Sequence, residues 1–159
     1  MMDNLILDGN SLTIVDVIEV ARRQRPVVIA AEALERVARS RAWVDQVTAT
    51  GQPTVYGINT GFGVFAARHI PIDQGDRLSR NLIISHAVGV GDPLPEEVVR
   101  AAMLIRANTL AIGYSGIRPE TIDTLIAMLN AGIHPIIPSQ GSLGASGDLA
   151  PLAHLALVL

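Results

Sequence analysis

Residues 141–151 of this 159-residue chain read GSLGASGDLAP, and three neighbours within it, Ala145, Ser146 and Gly147, could do chemistry with their own backbone. A peptide nitrogen can attack the carbonyl carbon two residues earlier only where the chain folds back sharply, and side chains obstruct that fold. Gly147 has no Cβ, and Ala145 has almost no side chain. A five-membered ring closed between them would turn the Ser146 hydroxyl into a removable β-substituent. Loss of water there would leave an exocyclic alkene conjugated to an imidazolone, a strong electrophile. Asp148 is placed to cap a following helix, and Pro151 falls in its first turn, where backbone N–H groups lack intrahelical partners and proline costs little. The positive end of that helix would favour negative charge developing on the ring. The bland alternative for the same glycines is a tight connection between helices. A phosphate loop fits poorly: there is no GK[ST] ending, no G-x-G-x-x-G, and the preceding HPIIPS carries two prolines where a strand should be.

The elements that must position this loop read as mostly α. Thr13 followed by Asp16 resembles a capping box and opens a helix over 14–24, which Pro26 ends. VVIA (27–30) reads as a short strand. The next segment, from Ala31 to Val47, sets Leu34, Val37, Arg41, Val44 and Val47 on one helical stripe, apolar apart from Arg41. Residues 51–64, GQPTVYGINTGFGV, hold four glycines and a proline and read as a loop. A helix is expected over 73–87, with Leu78, Leu82 and Ile83 on one face, broken by GVGDP. Pro95 at position N1, with Glu96 and Glu97 behind it, opens another helix to Ala111. RPETIDTLIAMLNAG is a further helix with Gly132 as its C-cap, the stretch from His134 to Gly147 reads as irregular, and Asp148 begins the last helix.

Composition narrows the function classes. Apolar residues make up 49% and charged residues 17%, against about a quarter charged in typical soluble domains, so surface buried against other protein is expected. The terminal HLALVL is an apolar helical run without a stop signal, which reads as a cut through a longer polypeptide. A net charge of −3 with scattered basic residues argues against nucleic acid. Asp3, Asp8, Asp16 and Glu19 near the N-terminus argue against a signal peptide, and no apolar run is long enough for a membrane helix. With no cysteine there is no thiolate site or disulfide framework, and a cytoplasmic location is the default. His69, His134 and His154 have no ligand spacing, so no metal is expected.

GSLGASGDLAPLAH resembles the signature of the aromatic amino acid ammonia-lyases, and YGINTGFG (56–63) resembles their other N-terminal motif. Two long matches in family order outweigh either glycine pattern alone, and the similarity runs through essentially the whole chain. The resemblance implies the N-terminal part of the helical, fumarase/aspartase-like lyase fold. Residues 1–159 would form the prosthetic-group-bearing domain of a longer chain whose C-terminal helical part lies beyond Leu159. It implies that Ala145, Ser146 and Gly147 cyclise to 4-methylideneimidazole-5-one, with Asp148 capping the helix beside it and no metal or nucleotide cofactor. Tyr56 matches the family's catalytic tyrosine, which removes a β-proton from the substrate. A free phenol has a pKa of about 10, so that role requires surroundings that favour phenolate. Asn59, Gly61 and, inside the prosthetic loop, Leu143 are further substrate-site candidates, whereas Phe62 reads as packing.

The family's substrate choice is read partly from a residue pair in the next helix, here Ser85-His86. That pair resembles the histidine-acting members, in place of the Phe-Leu or His-Leu of phenylalanine and tyrosine enzymes. An imidazole substrate offers a donor and an acceptor, which polar side chains can pair and an apolar pocket would leave unsatisfied. The implied reaction is elimination of ammonia from L-histidine to give trans-urocanate. The rivals are a phenylalanine or tyrosine ammonia-lyase, an aminomutase, or a non-catalytic helical oligomerisation module. The family also implies a homotetramer with shared active sites, which would account for the apolar composition.

Overall fold

Thr13 starts the first helix by the mechanism its sequence advertises. Its hydroxyl accepts from the Asp16 amide at 3.2 Å, and the Asp16 carboxylate accepts from the Thr13 amide at 3.1 Å. The Thr13 hydroxyl, which also donates to that carboxylate at 2.6 Å, the Thr13 amide and the Arg25 guanidinium 2.9 Å away hold the Asp16 carboxyl below the usual carboxylate range. The computed structural model describes residues 3–159. In chain order the elements are β1 (Leu5–Leu7), α1 (Ile14–Arg23), β2 (Val27–Ile29), α2 (Ala31–Thr50), α3 (Gly75–His86), β3 (Val90–Pro93), α4 (Glu96–Ala111), α5 (Pro119–Asn130), β4 (Pro138–Gln140) and α6 (Leu149–Ala156), with single 3₁₀ turns at Gly63–Phe65 and Ile72–Gln74. The chain is mainly α, as its periodicity predicts.

The core is organised around α4. Val99, Met103, Ala107 and Leu110 follow one another at helical spacing and are buried, packing with Ile122, Leu125 and Leu129 of α5 and Val20 of α1. β1 and β2 pair in parallel, Leu5 opposite Val27 and Leu7 opposite Ile29. The side-chain amide of Asn130, the last residue of α5, brackets Val27, accepting from its N–H and donating to its C=O, both at 2.8 Å. Arg100 of α4 is only 1% exposed. It donates to the carbonyls of Val20 (3.0 Å) and Leu129 (3.1 Å), where α1 and α5 present the negative ends of their dipoles.

Several boundaries differ from expectation. Helix α2 runs three residues further, to Thr50, until Gly51 at φ 69° turns it off, and of its stripe Val37 and Val47 are the fully buried members. The helix expected from 73 begins at Gly75, after a 3₁₀ turn. Pro95 occupies the N-cap position instead of N1, its extended backbone aiming its carbonyl at the amides of Val98 and Val99. Gly132 sits one residue past the cap of α5, at φ 69°, where its N–H reaches the Leu129 carbonyl and that of Ile133 reaches Met128. That arrangement is a Schellman closure. Part of the stretch read as irregular forms β4, antiparallel to β3, with Val90 opposite Gln140 and Pro93 opposite Pro138. The strand tolerates Pro138 because, at the end of an edge strand, no ladder bond from its nitrogen is required.

Candidate functional site

The loop after α2 is built on Asn59. This residue is buried, its Oδ1 accepts from the Val55 amide at 2.7 Å, and its Nδ2 donates to the carbonyls of Gly51 (3.1 Å) and Pro53 (2.9 Å). Its amide is therefore spent on shaping the loop. Gly61 is required by space, since a Cβ there would lie 2.7 Å from Phe65 Cβ and 2.8 Å from the Phe65 carbonyl oxygen. Backbone bonds from Gly61 to Arg68 and from Ile70 to Asn59 close the loop into a hook. On its outer side Tyr56 is 62% exposed, with its ring edge-on to Phe62 at a centroid distance of 5.9 Å. The Tyr56 hydroxyl oxygen accepts from the Gly63 amide at 3.3 Å, leaving its own O–H without a competing acceptor inside the loop.

Helix α3 delivers Ser85 and His86 at its C-terminal end. The Ser85 hydroxyl donates to the Leu82 carbonyl at 2.9 Å, and His86 Nδ1 lies 2.8 Å from the same oxygen and 3.1 Å from Ser85 Oγ. A carbonyl partner requires the proton on Nδ1, so in the neutral ring Nε2 is the acceptor, a tautomer assigned from this bonding. His86 lines two clefts. The larger, of ≈ 760 Å³, is bounded by Gly61, Phe62 and His69 of the hook and by Asn81, Ser85 and His86 of α3. The smaller, of ≈ 330 Å³, is bounded by Leu82, Ile83 and His86 on one side and by Asp148, Leu149 and Leu152 on the other. One histidine thus joins the hook to the start of α6.

The Ala145-Ser146-Gly147 triplet lies in the largely exposed turn that leads into α6. Gly144 and Gly147 have φ of 89° and 72°, the left-handed region that a fold-back uses and glycine favours. A Cβ on Gly147 would stand 2.5 Å from Ser142 Oγ, and the Ser142 hydroxyl closes the turn by donating to the Gly147 carbonyl. Asp148 stands at the N-cap position as expected, yet its carboxylate makes no capping bond. Its backbone is helical (φ −96°, ψ −12°) instead of extended, and Pro151 at N3 has no N–H to offer. The carboxylate instead accepts a hydrogen bond from the Ser146 hydroxyl, the group whose loss would make the alkene expected from the sequence. Small residues, a left-handed Gly147 and a carboxylate on the departing hydroxyl all fit a self-cyclising turn.

Of the candidates named from sequence, Gly61, Ser85, His86 and Asp148 meet along these two clefts. Tyr56, Leu143 and the triplet itself are not among the lining residues; Leu143 is 85% exposed. Sequence reasoning missed Asn81, Arg106 and Leu149, which line the clefts. Polar positions of α3 and α4 look like any solvated helix face, so no signal marked them. Among the described residues no helix is long and apolar enough to cross a membrane, and no group of three or more His, Asp or Glu side chains could hold a metal ion.

The family model for aromatic amino acid lyases matches residues 12–159. The chain belongs to that family. It is 56% identical over its full 159 residues to a histidine ammonia-lyase of Gloeobacter violaceus, of which it spans 31% of the length. Among solved structures it resembles the ergothioneine-degrading ergothionase of Treponema denticola (TM-score 0.91, 39% identity, 98% of this chain and 31% of that one) and the histidine ammonia-lyase of Trypanosoma cruzi (TM-score 0.84, 41% identity, 98% and 29%). These family structures share the helical lyase architecture, so the fold expected of the N-terminal part is the one found.

Proposed function

We propose that the full-length protein is a histidine ammonia-lyase, eliminating ammonia from L-histidine to give trans-urocanate. The observation that carries this reading is the double position of His86, which faces the Tyr56-bearing hook on one side and the start of the prosthetic helix on the other. With Nδ1 committed to the Leu82 carbonyl, Nε2 of His86 offers an acceptor to the N–H of a substrate imidazole, a demand that a phenyl or phenol ring does not meet in the same way. Sequence identity to histidine ammonia-lyases near 55% supports the same substrate.

Ala145, Ser146 and Gly147 are the residues that would hold 4-methylideneimidazole-5-one. When formed, that group supplies an electrophile for the substrate amine. Asp148 orients the Ser146 hydroxyl for dehydration, and the unpartnered first-turn amides of α6 favour negative charge at its mouth. Tyr56 takes the substrate's β-proton, with the Gly63 amide as a donor that a negatively charged phenol oxygen retains. The protein works in the cytoplasm as a homotetramer with active sites shared between subunits. The rest of the chain supplies the residues that hold the substrate carboxylate.

Product absorbance from the full-length protein, offered histidine, phenylalanine, tyrosine and ergothioneine separately, tests the reading. Urocanate from histidine is expected. Cinnamate or coumarate as the main product, or a β-amino acid formed without net ammonia release, would move the protein to the phenylalanine/tyrosine lyases or to the aminomutases, whose solved members are also similar to this chain.

A further inference from the structure

The substrate pair and the prosthetic turn sit on different elements, and something must fix one against the other. Helix α3 packs against α6, although none of its residues is completely buried among the described residues. Three residues beyond His86, Gly89 lies at a crossing of three segments. Its amide donates to His154 Nε2 of α6 at 2.9 Å. A Cβ on Gly89 would stand 3.0 Å from His154 Nε2, 3.1 Å from Pro138 Cβ and 3.3 Å from the Gln140 carbonyl oxygen, and a Cβ on Gly141 would stand 2.9 Å from Gly89 Cα. The exit of α3, the root of the prosthetic turn at Gly141 and the helix that follows that turn therefore meet at one glycine. Of these contacts, the His154 bond is a directional one between a side chain of α6 and the chain leaving α3.

We propose that His154 is a positioning residue: its unprotonated Nε2, by accepting from the Gly89 amide, sets the Ser85-His86 pair in register with the turn that carries Ala145, Ser146 and Gly147. The role is specific to an acceptor at that point in space. Nε2 must carry a lone pair, so the ring proton is on Nδ1. Glutamine places its amide oxygen close to where Nε2 stands and preserves the bond; asparagine is too short to reach, and leucine fills the volume without an acceptor. Losing the bond frees the end of α3 to shift relative to α6, and His86 then meets the substrate ring out of place.

This inference rests on the ammonia-lyase reading, and the test separates the two. The full-length protein and its His154→Gln, His154→Asn and His154→Leu variants are assayed with histidine, with prosthetic-group absorbance per mole of protein recorded alongside. The wild type must show both that absorbance and urocanate; if it shows neither, the functional reading itself has failed. Given an active wild type, His154→Leu and His154→Asn are expected to keep the absorbance and raise KM about fivefold, the worth of one net hydrogen bond, while His154→Gln stays within about twofold of wild type. A structural role alone would lower the yield of folded enzyme and leave KM where it was. Should His154→Leu fail to fold, the Gln and Asn variants decide. Equal KM in those two, or a wild-type KM in every variant that folds, overturns the proposal.

Discussion

Replacing Arg100 with methionine removes a cation from the interior and should loosen two helix ends at once. The guanidinium is 1% exposed, has no carboxylate within ion-pair distance among the described residues, and leaves Nε without a partner. Its two bonds to the Val20 and Leu129 carbonyls are charge-assisted, each worth about 1.5–3 kcal/mol. Methionine fills most of the volume and abolishes the cost of the unpaired buried Nε, returning about 1–2 kcal/mol. The Val20 carbonyl is the group left most exposed by the loss. The Gln24 amide, which would ordinarily reach it, bonds Glu19 instead, whereas the Leu129 carbonyl still receives the Gly132 amide. The net loss is about 2–4 kcal/mol, concentrated where α1 and α5 end. Hydrogen exchange followed by mass spectrometry on the full-length protein reads this locally: amides near residues 20–25 and 129–133 should exchange roughly 100-fold faster in Arg100→Met. Arg100→Lys, a compact charge without the planar fork, should fall between. Exchange in Arg100→Met equal to or slower than wild type would mean that desolvation of the guanidinium outweighs its two bonds, the reverse of what is expected.

Other consequences are as specific. Thr13→Ala should cost about 1 kcal/mol at neutral pH through loss of the capping box. Because the Asp16 carboxyl is held below its unfolded value of about 3.9, its contribution is complete above that pH and lost as pH falls through the lower folded value. The stability gap between wild type and Thr13→Ala, measured by denaturant titration, should therefore narrow below about pH 4; a constant gap would exclude the carboxylate's part. Asn59→Ala strands the Val55 amide and two carbonyls, so the hook should lose about 2–4 kcal/mol and turnover should fall while the prosthetic-group absorbance remains. Undiminished turnover would show that the hook's shape does not matter. Tyr56→Phe should keep that absorbance and lose about 10²–10⁴-fold in elimination rate; an unchanged rate would remove Tyr56 from the role of base.

Much of the fold is legible in the sequence because its helices announce themselves. Thr13 with Asp16, the 3.6-residue spacing along α2 and the proline–glycine bracket of α5 each encode a local structure that tertiary packing then respects. Of the strands, β2 is legible as VVIA (27–30), which opens on a run of β-branched residues, but the other three are not. Leu5–Leu7 and Pro138–Gln140 have three residues each, too few to show alternation, and β3 is exposed along its whole length and contains a glycine and a proline. The motifs locate the site segments, but not what each side chain bonds to. Asn59 reads as a substrate-site candidate, and its amide turns out to be consumed by its loop. Asp148 reads as a helix cap, yet with a helical backbone and a proline at N3 its carboxylate makes no capping bond and binds the Ser146 hydroxyl. His154, which has no ligand spacing to the other histidines, accepts from Gly89, just beyond the Ser85-His86 pair, across 65 residues of sequence, a contact that no local pattern encodes.

On the proposed reading Ala145, Ser146 and Gly147 condense their own backbone into an electrophile. The most direct measurement is the mass of the proteolytic peptide containing residues 145–147 from the full-length protein, compared between wild type and Ser146→Ala. The wild-type peptide is expected to be lighter than its translated sequence by two water molecules and the variant unable to make the alkene; a wild-type peptide at its full translated mass would rule the electrophile out.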